Sequence, residues 1–203
     1  MGIYNLLVEQ QLILMPCIIF ALTFHEYAHA RVAYYLGDYT AYYQDRMNLN
    51  PFNHLDPIGT LALYFLGFGW AKPVPVNMRN LSNPRKDMML IAIAGPASNI
   101  FLAIIASILY NNIFINLQIA GILKYFISIN VLLAVFNMIP IAPLDGSRIL
   151  PLLINNNRIL YQIEYYGPRI LMGLILFSII TRIPIIWSII GIPIELIVSL
   201  LIG

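Results

Sequence analysis

A chain of 203 residues in which 60% are apolar and only 10% charged, with mean hydropathy +0.80, is not composed like a soluble domain. Its formal charge of +2 comes from basic and acidic residues scattered over several loops, which excludes the basic stripe of a nucleic-acid-binding protein. The single cysteine, Cys17, excludes an intrachain disulfide and reads as a small core hydrophobe.

Apolar runs at 11–24, 88–110, 118–144 and 170–203 approach or exceed the roughly 20 residues that cross a hydrocarbon core. They predict an all-α polytopic membrane protein with about five to six transmembrane helices. No internal repeat or long linker interrupts them, so one membrane-embedded domain over 1–203 is expected.

The first helix is expected over 6–36, ending at Gly37. Glu9 is the only charged residue of its leading segment, so the run lacks the basic n-region of a signal peptide and should stay attached. Its second half turns polar through Thr23, His25, Glu26, His29 and Arg31, and that half must face protein or water. The following loop, 38–56, offers Tyr39, Tyr42 and Tyr43, side chains suited to a membrane interface. Asp56-Pro57 reads as an N-cap with proline at the first helical position.

The apolar stretch 57–69 is short for a span, and Gly67, Gly69, Pro73 and Pro75 break it, so it is expected to be tilted, partial or re-entrant. In Ala71-Lys72-Pro73-Val74-Pro75-Val76 the alternating prolines forbid a helix or central strand but allow an exposed extended edge. A short membrane-edge β-hairpin near 70–80 is therefore expected, with Val74 and Val76 guiding substrate by strand addition. Helices follow at 85–111, 117–139, 146–154 and 162–181. Gly191 and Pro193 leave open whether the last apolar segment, 185–202, spans.

Basic residues report topology. Arg31 and Arg46 follow the first run, Lys72, Arg79, Arg85 and Lys86 precede the run at 88, and Arg148, Arg158 and Arg169 follow the run ending at 144, whereas 111–118 carries no charge. The positive-inside rule places those basic loops in the cytoplasm and the N-terminus and 111–118 outside.

Chemistry concentrates at His25-Glu26-Tyr27-Ala28-His29. Residues i and i+4 share a helix face, so His25 and His29 can reach one Zn²⁺ while Glu26 projects beside the metal's water. Ionisable groups in a membrane run each cost roughly 2.5–3.5 kcal/mol, which sets this triplet apart from chance. A catalytic zinc takes three protein ligands and leaves a fourth position for water. Among remaining carboxylates Asp145 stands out, because Pro140 and Pro143 end a membrane helix and Gly146 allows a sharp turn; an N-cap role for Asp145 stays open.

These segments resemble the site-2 protease family of intramembrane metalloproteases in its compact form without a PDZ domain. The resemblance runs through H-E-Y-A-H at 25–29, L-G-D at 36–38, L-N-P at 49–51, H-L-D-P-I-G-T at 54–60 and F-G-W-A-K-P-V-P-V at 68–76. It continues through N-P-R-K-D at 83–87, A-G-P-A-S-N at 94–99 and N-M-I-P-I-A-P-L-D-G at 137–146. It implies a three-helix catalytic core, the first helix carrying H-E-x-x-H and the third the aspartate, with zinc in the membrane towards the cytoplasm. It also implies His25, His29 and Asp145 as ligands and Glu26 as general base. The chain departs from the family's usual Gly-Arg at Asp45-Arg46 and from a frequent proline at Ala142.

Asn137 resembles a position the family uses near substrate, where its amide could meet an extended peptide or the oxyanion. His54 is a further candidate for the oxyanion or for a carboxylate behind the metal. Gly95, Pro96 and Asn99 read as a close-approach and hydrogen-bonding set. The function expected is zinc-dependent hydrolysis of peptide bonds in or near transmembrane segments of membrane proteins, in the lipid bilayer of the cell membrane. The alternatives are a non-catalytic metal-binding adaptor or a transporter; the oligomeric state is not readable.

Overall fold

The computed structural model describes residues 3–112 and 116–203, and among the described residues no strand forms. Among the described residues six helices run ten residues or more: α1 (Val8–Tyr35), α2 (Pro57–Leu66), α3 (Pro84–Asn112), α4 (Leu117–Asn137), α5 (Asn157–Thr181) and α6 (Ile185–Ile202). All except α2 are long and apolar enough to cross a membrane, which makes this a multi-pass membrane protein. The connection 111–118, placed outside by its lack of charge, includes 113–115, which lie outside the described residues.

Local chemistry explains the helix ends. Asp56 caps α2, its carboxylate accepting the Gly59 N–H at 2.7 Å, with Pro57 at the first helical position. Gly67, at φ 77°, stops α2 after 10 residues, about 15 Å at 1.5 Å per residue, so α2 is too short to span. Asn116 caps α4, and Asn156 caps α5 by accepting from the N–H groups of Arg158 and Ile159. That cap starts α5 at 157, five residues before the 162 expected from apolar periodicity.

Helices α1, α3 and α4 pack together as the central unit. Buried Ala92, Gly95, Asn99, Ala103 and Ala106 repeat every three or four residues along α3, leaving a face of small side chains onto which neighbouring backbones close. Ala21, Ala30 and Ala33 do the same for α1. Helix α6 continues through Gly191 and Pro193 and packs Ile190 and Ile194 onto Ala103, Ala106, Ile127 and Val131. The Asn111 amide donates to the Leu201 carbonyl at 2.8 Å, covering an acceptor at the α6 end. Helix α5 is attached more lightly, through Leu171 and Ile175 against Leu144 and an exposed Arg148–Glu164 ion pair.

Three expectations change. The β-hairpin near 70–80 does not form: the only pairing there is an isolated antiparallel bridge between Leu55 and Ala71. Pro73 and Pro75 have no N–H, Val74 N–H goes to Glu26 and Asn77 N–H to Asp38, so beyond the Lys72 N–H bond to His54 O beside the bridge no ladder continues. The helix expected at 146–154 is instead a 3₁₀ turn, Asp145–Ile149, followed by one α-turn, Leu150–Leu153, with Pro151 near its start. The aspartate is therefore not carried on the third core helix, since α4 stops at Asn137.

Asp45 occupies the left-handed region at φ 51°, the backbone reason for the glycine usual there. Asp tolerates this conformation better than most residues, and a β-branched side chain tolerates it worst. Asp45→Val should therefore lower the thermal-denaturation midpoint of the purified protein, by about 1–2 kcal/mol in stability, whereas Asp45→Gly should not lower it.

Candidate metal and catalytic site

One turn of α1 sets His25 above His29, and the packing of α3 and of segment 138–146 completes the site. The three atoms His25 Nε2, His29 Nε2 and Asp145 Oδ2 lie 3.0 Å apart between the imidazoles and 3.1 and 3.3 Å from imidazole to carboxylate. Asp145 opens its 3₁₀ turn but does not cap it; its carboxylate faces the histidines instead.

The far side of each ring fixes which nitrogens carry protons. His29 Nδ1 lies 2.7 Å from the Ile91 carbonyl, which can only accept, so Nδ1 donates. Asn99 Nδ2 donates to the Ala21 carbonyl and to Asn130 Oδ1, whose own amide donates to Phe126 O. Asn99 Oδ1 therefore faces His25 and accepts from its Nδ1 at 2.6 Å. With both rings neutral, their Nε2 lone pairs face each other and a carboxylate. Three acceptors in mutual contact repel unless a cation lies among them.

The donor set fits zinc. Around a tetrahedral zinc with bonds of about 2.0 Å, neighbouring donor atoms lie about 3.3 Å apart, close to the separations found here. Gly95 of α3 makes the room: a Cβ there would fall in hard contact with both Nε2 atoms. Gly146 is required for a similar reason and not for a special φ, since a Cβ would collide with the Met138 carbonyl. His25, His29 and Asp145 are thus a group able to hold a metal ion.

Glu26 projects beside this group and accepts the Val74 N–H at 2.9 Å. A cavity of about 660 Å³ opens before it, lined by Glu26, Val74, Val76, Phe136, Asn137 and Leu171 among others. Asn137 is half-buried there and donates one amide hydrogen to Leu133 O at 2.9 Å, leaving its second N–H and Oδ1 for other partners. His54 does not line this cavity. It is fully buried, its Nε2 donating to Asn48 O at 2.8 Å, and burial lowers its pKa below the ordinary value. Two elements escaped sequence reasoning: Asn130, which fixes the orientation of Asn99, and Arg46, which reaches the 72–73 carbonyls. No spacing marks either one.

The family model described as peptidase family M50 matches residues 109–178, a segment that contains Asp145. Putative zinc metalloprotease YwhC of Bacillus subtilis (strain 168) is 44% identical over 150 residues, covering 68% of each chain. The chain belongs to peptidase family M50. No solved structure matches it. In this M50 peptidase the resemblance drawn from short motifs and the similarity over 68% of the chain agree on the family.

The hydrogen bond from His25 to Asn99 is the kind of outer contact whose loss commonly costs 10–100-fold in metal affinity. Asn99→Ala should weaken zinc binding by about that factor, read by competition with a chromogenic chelator. Gly95→Ala should leave the purified protein largely free of zinc by elemental analysis, because its methyl takes the space the metal needs.

Proposed function

We propose that this M50 member is an intramembrane zinc metalloprotease that hydrolyses peptide bonds in or near transmembrane segments, with its site open towards the cytoplasm. The observation that carries the reading is the convergence of two imidazole nitrogens and a carboxylate inside a bundle of helices apolar enough to cross a membrane, with Glu26 alongside. His25 lies about 9 Å along α1 from Arg31, the first basic residue after the motif, which supports a site below the headgroup level.

His25, His29 and Asp145 would hold zinc, which when bound supplies Lewis acidity to the scissile carbonyl and the attacking water. Glu26 accepts the proton released as water attacks and delivers it to the departing amine nitrogen, so the peptide C–N bond breaks as a C–O bond forms. Asn137 offers its free amide N–H to the carbonyl oxygen or to the substrate backbone. Along the extended segment, the Val74 and Pro75 carbonyls and the Val76 N–H make no hydrogen bond among the described residues and are left to pair with an unwound peptide. A substrate helix hides its carbonyls in its own hydrogen bonds. Local unwinding must therefore precede cleavage, which favours sites near Gly, Pro, Asn or Ser.

Glu26→Gln keeps size and hydrogen bonding but removes the base. It should retain zinc and fold while losing about 10²–10⁴-fold or more of the cleavage of a transmembrane substrate in proteoliposomes. Undiminished proteolysis by zinc-loaded Glu26→Gln would overturn the mechanism, and a wild type that binds but never cleaves would identify an adaptor. His29→Ala and Asp145→Ala should each lose the metal itself; stoichiometric zinc in both variants would remove the ligand assignment.

A further inference from the structure

Arg46 is a buried guanidinium, 8% exposed, and among the described residues no carboxylate lies within 4.0 Å of it. A cation in that state needs a reason, because burial without an ion pair is costly. Burial pushes its pKa below the ordinary arginine value, and the negative field of Glu26 acts in the opposite sense. Its contacts are specific. Nη2 donates to two consecutive carbonyls, Lys72 O at 2.8 Å and Pro73 O at 3.2 Å, immediately before Val74.

The segment on either side of Val74 is pinned as well. Lys72 N–H donates to His54 O at 2.8 Å, and beyond Val76 the Asn77 N–H donates to Asp38 at 2.7 Å. Asp38, at the end of α1, is 1% exposed; burial raises its pKa, but hydrogen bonds from Thr40, Asn77 and Asn80 outweigh this and hold it below the ordinary value. The Arg46 backbone N–H is itself tied to Ala41 O at 2.8 Å. Val74 thus has little freedom, and its N–H is the only hydrogen bond that the Glu26 carboxylate accepts among the described residues.

We infer that Arg46 is a positioning residue for the peptidase reaction: by gripping the Lys72 and Pro73 carbonyls it aims the Val74 N–H so that Glu26 faces the metal group. This rests on Glu26 being the general base. Glu26 has several rotatable bonds, and a base misplaced by about 1 Å can lose roughly 10²-fold in rate without any change in what binds. Arginine suits the task because Nη2 carries two N–H groups held in the fixed plane of the guanidinium, one for each carbonyl, whereas an ammonium is a freely rotating point donor.

The test is a double-substitution cycle in the full-length, zinc-loaded protein. Arg46→Met removes the grip, and Val74→Pro deletes the N–H within an extended backbone that Pro75 already imposes. Each should lower kcat about tenfold or more, with KM changed less than about twofold and zinc content unchanged. Together they should lower kcat no further than the more severe single change, because both remove one linkage. Arg46→Lys should recover part of the loss. Multiplying effects, an unchanged kcat, or a loss confined to KM would overturn the inference. If Arg46→Met fails to hold zinc, Arg46→Lys takes its place in the same cycle. Glu26→Gln is measured alongside: an active Glu26→Gln protein removes the base assignment and this inference with it. An inactive one with an intact cycle failure removes only the role of Arg46.

Discussion

Two imidazole nitrogens and a carboxylate oxygen, all within 3.0–3.3 Å of one another, form an arrangement that a shared cation stabilises. Everything around it follows from holding that arrangement inside a bundle of apolar helices. The rings cannot turn away, because their Nδ1–H groups are fixed on the Ile91 carbonyl and Asn99. Asn99 cannot flip, because both of its amide hydrogens have carbonyl acceptors of their own. The polarity of the whole chain of bonds is set in the end by backbone carbonyls, which accept and never donate.

This explains why asparagine recurs in the middle of membrane helices here. Asn99 and Asn130 are both fully buried, at a depth where an unsatisfied amide costs several kcal/mol. Each group in the sequence Phe126 O, Asn130, Asn99, His25 meets a partner of the opposite kind. A fully satisfied network of this type rigidifies its members, and rigidity is what a metal site asks of its ligands. Small residues on α3 then let α1 approach closely enough for the network to close.

What the sequence made legible was what periodicity and spacing encode. The apolar runs located the spans, and an i, i+4 pair on a helix located the histidines. Asp56-Pro57 and Gly67 marked both ends of α2 before any fold was known. The misplaced features depend on contacts between distant residues. Pro73 and Pro75 suggested a hairpin edge, but the fate of the intervening N–H groups was decided by Glu26, 48 positions away, and by Asp38. Asp145 was found from its neighbours, while its place on a 3₁₀ turn depends on how Gly146 slides beneath the Met138 carbonyl. Arg46 looked like one more loop cation marking topology, because nothing in its local sequence says that it is buried.

The distance along the chain between His25 and Asp145 also has a consequence in time. The carboxylate follows the imidazole by 120 positions, and Asn99 follows it by 74. At about 5–20 residues per second, a nascent chain extends for roughly 6–24 s after His25 is made before Asp145 exists. During synthesis the Ile91 carbonyl and Asn99, which orient the rings, arrive first, and the carboxylate that completes the metal-capable group comes last. A chain cut short of Asp145 carries the His-Glu-x-x-His motif without the third member of its metal-capable group, which arrives only after α1, α3 and α4 have all been made.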